Sequence, residues 1–263
     1  MLIVKRNESG PRIIALQILL NRRFGKILVT DGIYGQNTSD AVARFRNEVM
    51  KTSGSGDLAD GPLWLELIRN AGLQAADAVD VTDPVVLDAV VPELGQFGRP
   101  IQTGAMTNGV IQVMTDIKAQ VAEKSKLLLM RFHGHGGPGL ASLTFGKRSL
   151  DLVKGIDHEA TLTVLNGKTV ATLAPALRQM AQLMADFGFV EFHACRVALG
   201  AAGAALLRNL ADIWNVPVTA STESQSAEGK ANFLLTGQLV TAFPGGVDLR
   251  RWAFSRAEKV ERV

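Results

Sequence analysis

Two apolar runs end abruptly in reactive side chains. Leu127-Leu128-Leu129-Met130-Arg131-Phe132 passes into His133-Gly134-His135-Gly136-Gly137, and Phe189-Val190-Glu191-Phe192 passes into His193-Ala194-Cys195-Arg196. Short apolar runs bounded by turn residues predict strands buried on both faces of a sheet. Helical spacing predicts helices over residues 109–124, with Val110, Val113, Met114 and Ile117 on one side, over 172–187, stopped by Gly188, and over 203–214, with Leu206, Leu207 and Leu210 inward. Further strands are predicted at 85–91, before Pro92, and at 216–220, with hairpins near 140–146 and 233–243. Residues 147–168 carry no clear period, and Asp157, His158 and Glu159 read as an exposed loop or helix start. Strand, helix, strand in repetition predicts parallel crossovers, so the fold class is α/β with a mainly parallel sheet flanked by helices.

The first seventy-odd residues follow a different rhythm. Ile13, Ile14, Leu16, Leu19 and Leu20 form an apolar helix face with Pro11 just inside its start. A turn-rich loop at 30–38 leads to a second helix, capped by Thr38 or Ser39, whose inner face is Ala41, Val42, Phe45 and Val49. A second turn-rich stretch leads into Leu63-Trp64-Leu65-Glu66-Leu67-Ile68, and Asp31-Gly32 and Asp60-Gly61 occupy equivalent places in a small internal repeat. The expected organisation is therefore a small all-α three-helix domain at 1–72, a linker with an opening strand at 73–99, and an α/β domain at 100–263.

Composition narrows the function classes. A length of 263 residues allows a sizeable core, and a net charge of +3 with scattered basic residues gives nucleic-acid binding little electrostatic support. One cysteine permits no internal disulfide. No run approaches the ~20 apolar residues that span a bilayer, and Met1 to Arg6 lacks a signal-peptide core, so the cytoplasm is the default expectation. No nucleic acid, no membrane span and no cofactor are expected.

The candidate chemistry sits at the two run ends. In open α/β sheets, ligands bind at the carboxyl edge of the strands. His135 and Cys195 are expected there, and an imidazole beside a thiol raises the reactive thiolate fraction and can protonate a departing amine. Strand alternation puts His133 and His135 on one face, and His193 and Cys195 on one face of the next strand. Three readings stay open on residues alone: an inert buried cysteine that acts as a small apolar side chain, a Cys–His nucleophilic pair, or three histidines and a thiolate around a tetrahedral zinc. The His-x-His lacks the following Asp and His of a metallo-hydrolase, so no metal site is assigned.

Family resemblances add to this. Leu16-Gln17-Ile18-Leu19-Leu20-Asn21, Asp31-Gly32-Ile33-Tyr34-Gly35-Gln36-Asn37-Thr38 and Ala41-Val42-Ala43-Arg44-Phe45 resemble the peptidoglycan-binding domain of bacterial cell-wall hydrolases, and Asp60-Gly61-Pro62-Leu63-Trp64-Leu65-Glu66-Leu67 resembles the end of that pattern. The resemblance covers about residues 1–72 and implies a module docking cell-wall peptide or glycan, which would place the protein at the envelope. A module that packs on its neighbour or binds a protein is the alternative.

His193-Ala194-Cys195-Arg196 is similar to the caspase signature Gln-Ala-Cys-Arg-Gly, and Phe132-His133-Gly134-His135-Gly136-Gly137 looks like the Ser-Gly-His-Gly-Gly of metacaspases. Residues 80–245 further resemble bacterial caspase-like domains of the clostripain, gingipain and CHAT peptidase group. What the resemblance implies is a caspase-like cysteine peptidase acting on protein or peptide: Cys195 the nucleophile, His135 the acid–base, the backbone N–H groups of Gly136 and Cys195 the oxyanion hole. Losing one such donor typically costs on the order of 3 kcal/mol. The substrate pocket would draw on His193, His133, Ser221 and Glu223. His193 departs from the family, where caspases carry Gln and Arg/Lys-cleaving relatives carry Asp. It holds no fixed negative charge, so an acidic or uncharged P1 residue is expected. An inactive caspase-like scaffold and a peptidoglycan-peptide hydrolase are the alternatives.

Overall fold

The structure, a computed structural model, describes residues 2–80, 100–104, 106–144, 162–225 and 235–260. The strand expected at 85–91 and the segment with Asp157, His158 and Glu159 lie outside the described residues.

The chain opens with β1 (Val4–Lys5), α1 (Pro11–Phe24), α2 (Gln36–Phe45) continued by a π-helical turn at Arg46–Met50, β2 (Leu58–Ala59) and α3 (Gly61–Asn70). Pro11 occupies the first turn of α1, where its missing N–H is not needed, and Asp60 caps α3 by accepting the Leu63 N–H at 3.2 Å. Thr38 and Ser39 lie inside α2 rather than capping it, because the helix starts earlier, from Gly35. Buried Gln17 shapes the loop between α1 and α2: its carbonyl oxygen accepts the Gly32 N–H at 2.9 Å, and its amide donates to Asp31 at 2.8 Å. Since β1 pairs antiparallel with β2, the three helices come with a small sheet of their own.

Then follow β3 (Leu73–Val79), β4 (Ile101–Gln102), α4 (Gly109–Gln120), β5 (Lys126–His133), β6 (Gly136–Gly137), β7 (Leu140–Ser142), β8 (Val164–Asn166), α5 (Thr169–Ala181), β9 (Met184–His193), α6 (Gly200–Trp214), β10 (Val218–Ser221), β11 (Leu239–Ala242) and α7 (Leu249–Val260). Six strands form the central sheet in the order β11-β10-β9-β5-β3-β4, and all pairs are parallel except β10 with β11. A small antiparallel sheet β6-β7-β8 grows from the turn after β5. The expected mixed α/β architecture with a mainly parallel, helix-flanked sheet is what the chain adopts.

Two further local expectations change. Residues 73–79, read as linker, form β3, a full strand paired with β5; its alanines give no strand signal of their own, and the neighbouring strand supplies the reason. Gly188 does not stop a helix: α5 ends at Ala181, and Gly188 sits in an irregularity within β9 where the register with β5 shifts. A Cβ there would come within 2.9 Å of the Leu127 carbonyl oxygen, so glycine permits the close approach.

Each face of the sheet is covered. Even-numbered positions such as Met130, Phe132, Val190, Phe192 and Ala220 pack under α4, α5 and α6. There Phe132, Phe192 and Trp214 stack with ring centroids 5.3 to 6.2 Å apart, and the Trp214 indole donates to Leu177 O at 3.0 Å. Odd-numbered positions Ala75, Leu129, Phe187 and Phe189 share a core with α1, α3 and Trp252 of α7. The N-terminal helices are thus the outer layer of an α/β/α sandwich, and their apolar face is buried on the sheet.

Candidate functional site

Along the odd-numbered face the side chains change character toward the carboxyl edge. After apolar Leu129 and Phe189 come Arg131 and Glu191, then His133 and His193, which lie level in the β5–β9 register. Asp77 of β3 stands beside Arg131. Arg131 grips Asp77 with two hydrogen bonds, Nε to Oδ1 and Nη2 to Oδ2, the latter at 2.8 Å. The same carboxylate oxygen Oδ1 meets His133 Nε2 at 3.0 Å. A second, matching unit lies next to it: Arg12 of α1 donates through Nε and Nη2 to the two oxygens of Glu191, the latter at 2.9 Å, and Glu191 Oε2 meets His193 Nε2 at 3.0 Å. The two imidazoles face each other with ring centroids 4.6 Å apart. Two buried carboxylates are therefore each neutralised by a forked guanidinium and each orient one histidine.

The electrostatics follow. Burial alone would raise the Asp77 and Glu191 carboxyls. The His133 and Arg131 contacts hold Asp77, and the Arg12 and His193 contacts hold Glu191, well below the usual carboxylate range. Burial pushes the His133 imidazole down to about 4, aided by the neighbouring His193 and Arg131 and opposed by Asp77. Its Nδ1 is buried with no hydrogen-bond partner among the described residues, so a second proton would find no acceptor. Because the folded-state pKa lies below the unfolded value, the unfolded chain binds the proton first, and stability must fall as the pH drops from about 6.5 toward 4. A loss of about 2 kcal/mol by pH 5 is expected from this group. Chemical denaturation at pH 7.5 and 5.0 measures it, and His133→Gln should flatten the dependence.

Beyond the strand ends the loops converge. The Gly134 N–H reaches His193 O at 3.4 Å, Asp80 N–H reaches His133 O at 3.1 Å, and Gly139 N–H reaches Val197 O at 3.1 Å. Gly136 packs on the Cys195 segment so tightly that a Cβ would lie 2.8 Å from Cys195 O and 3.0 Å from the Ala194 methyl. The glycine after His135 is thus required by the cysteine loop itself. His135 is exposed and Cys195 half-buried, and their two segments meet at one edge of the sheet. Arg196 adopts a left-handed conformation (φ 55°), unusual for a non-glycine residue. Its N–H bonds Glu223 O at 2.9 Å and its Nε bonds Ser224 Oγ at 3.0 Å. The sulfur of Cys195 accepts the Gln225 N–H at 3.2 Å and donates to Gln225 O at 3.4 Å.

The sequence-predicted residues divide accordingly. Gly136 and the Cys195 segment come together at the edge, with exposed His135 the residue before Gly136. His133 and His193 form a buried pair, and His193, not His133, lines a cavity of about 530 Å3 together with Lys5, Arg12, Glu191, Thr236 and Leu239. Ser221 and Glu223 do not line that cavity. Ser221 Oγ donates to Thr236 O at 2.8 Å and accepts Glu223 N–H, and the Glu223 carboxylate accepts Gln238 N–H at 3.0 Å, so both shape the loop. Among the described residues no group of three or more His, Cys, Asp or Glu side chains is arranged to hold a metal ion; Nε2 of His133 and of His193 each face a carboxylate.

Sequence reasoning missed Asp77, Arg12, Arg131 and Gln225. The alternation Arg131-x-His133 beside Glu191-x-His193 was the available signal: charged residues recurring at period two inside apolar strands demand buried partners. Arg12 and Gln225 had none, since their partners lie far along the chain.

Among the described residues no helix is long and apolar enough to cross a membrane. No curated protein and no solved structure matches the chain. One family does, over residues 85–235, more than half of the 263 residues and the span that carries β5, β9, β10, His135 and Cys195. The chain belongs to the family described as "Domain of unknown function (DUF4347)".

Proposed function

We propose that the protein is a caspase-like cysteine endopeptidase working through Cys195 and His135. The observation that carries this is the meeting of the two segments at the carboxyl edge of adjacent parallel strands, with Gly136 against the Cys195 carbonyl. In the reaction the Cys195 thiolate attacks the scissile carbonyl, His135 protonates the leaving amine, and water then hydrolyses the thioester. The backbone N–H groups of Gly136 and Cys195 would hold the oxyanion. The cavity at His193 is where the substrate side chain would enter, and the Glu191 charge there is already taken by Arg12. This supports an acidic or uncharged P1 residue.

A fluorogenic P1 peptide library tests the reading, with purified sacculi as a second substrate for the peptidoglycan-peptide alternative. Turnover is expected to fall by at least about 1000-fold in Cys195→Ala and in His135→Ala. Cleavage that survives Cys195→Ala sinks the mechanism, and a library cut chiefly after Arg or Lys sinks the specificity.

A further inference from the structure

The thiol proposed as nucleophile is already engaged. Its sulfur meets both main-chain groups of one residue, the N–H of Gln225 at 3.2 Å and the C=O of Gln225 at 3.4 Å. A neutral thiol can satisfy both, donating to the carbonyl and accepting from the amide. A thiolate can only accept, and a carbonyl oxygen aimed at it repels it. The contact therefore engages the sulfur as both donor and acceptor, and that engagement must be given up before the sulfur can attack a substrate.

Gln225 is itself fastened. It is buried, 5% exposed. Its Nε2 donates to Glu223 O at 3.3 Å and to Thr236 O at 3.2 Å, and its Oε1 accepts the Thr236 N–H at 3.1 Å. Thr236 O also accepts the Ser221 hydroxyl, and Glu223 O accepts the Arg196 N–H, so the same seam holds the turn after the cysteine. One amide side chain thereby fixes the backbone that covers the sulfur. These three side-chain bonds are all made to backbone groups and carry no formal charge.

We propose that Gln225 is a latch: its side chain clamps residues 222–225 over Cys195, keeping the thiol covered until that segment moves off. This rests on Cys195 being the nucleophile, and it makes the structure a latent form of the proposed peptidase. Opening requires the three side-chain bonds of Gln225 to break together and the carbonyl to leave the sulfur.

Cys195 is the only cysteine, so alkylation of the full chain by iodoacetamide, followed by intact mass, reports this thiol alone. The wild type is expected to label at least about 100-fold more slowly than a free model thiol at pH 7.5. Gln225→Ala, which deletes the clamp, and Gln225→Glu, which keeps its shape but replaces the donor with a carboxylate facing two carbonyls, should both label at least tenfold faster than wild type. Circular dichroism confirms that each is folded, and either folded variant decides. Folded variants that label at the wild-type rate or more slowly would overturn the latch, as would a wild-type rate equal to that of the free thiol, which needs no variant. His135→Ala in the Gln225→Ala background separates the two ideas. Faster labelling whose pH profile ignores His135 keeps the latch and sinks the dyad.

Discussion

Arg131→Ala should destabilise the fold by roughly 3–5 kcal/mol, the cost of leaving a buried charge without its partner. Arg131 and Asp77 are each about 1% exposed, and two hydrogen bonds join them. With the guanidinium gone, the Asp77 carboxylate keeps, among the described residues, only His133, whose imidazole is neutral near pH 7 because burial holds its pKa down to about 4. The site can then relax by taking up a proton on Asp77 or on His133, and either route turns the loss into a pH-dependent one. Denaturant titration of wild type and variant measures the difference, and a melting shift on the order of 10 °C accompanies it. The double change Arg131→Met with Asp77→Asn should recover much of the loss, since it removes both charges together. A variant within ~1 kcal/mol of wild type would show that the pair is not isolated from solvent.

Removal of residues 1–72 is expected to prevent folding of the remainder. Leu128, Leu129, Phe187 and Phe189 are all buried in the core shared with α1 and α3. Full exposure of four such side chains costs roughly 6–12 kcal/mol at 1.5–3 kcal/mol each, against a whole-domain stability of ~5–15 kcal/mol. Trp252 of α7 would still cover part of that face, and half the figure remains a large fraction of the total. The cut also strands Glu191, which is 1% exposed and would lose Arg12. A fragment of residues 73–263 should show no cooperative melting and should be digested rapidly by trypsin. A fragment that melts sharply would establish the N-terminal segment as an autonomous module, as its resemblance to a wall-binding domain suggests.

These two expectations mark how far the candidate site could be read from residues alone. The apolar runs at 127–132 and 189–192 announce buried strands because burial on both faces leaves no polar alternation, and a parallel sheet follows from the helices between them. The glycines and histidines that end those runs mark the carboxyl edge. The placement of Cys195 and His135 just past two adjacent strand ends was legible for that reason, since successive strands of such a sheet lie side by side.

What lay beyond reach was every feature that depends on a distant partner. β3 could not be seen in an alanine-rich stretch, since its strand conformation is imposed by pairing with β5. Gly188 reads locally as a helix stop, and only the close passage of the Leu127 carbonyl gives it another purpose. Likewise the 179 positions between Arg12 and Glu191 and the 30 between Cys195 and Gln225 hide their bonds from any local pattern. By itself the sequence determined the central strands β5, β9 and β10, the helices between them and the residues that follow the strand ends, because periodicity and strand ends are local properties. Tertiary structure alone decided that the N-terminal helices close the sandwich, that two forked ion pairs orient the buried histidines, and that the thiol lies under Gln225. Each of these is set by which surfaces must share a dry core and by which charges must be neutralised within it.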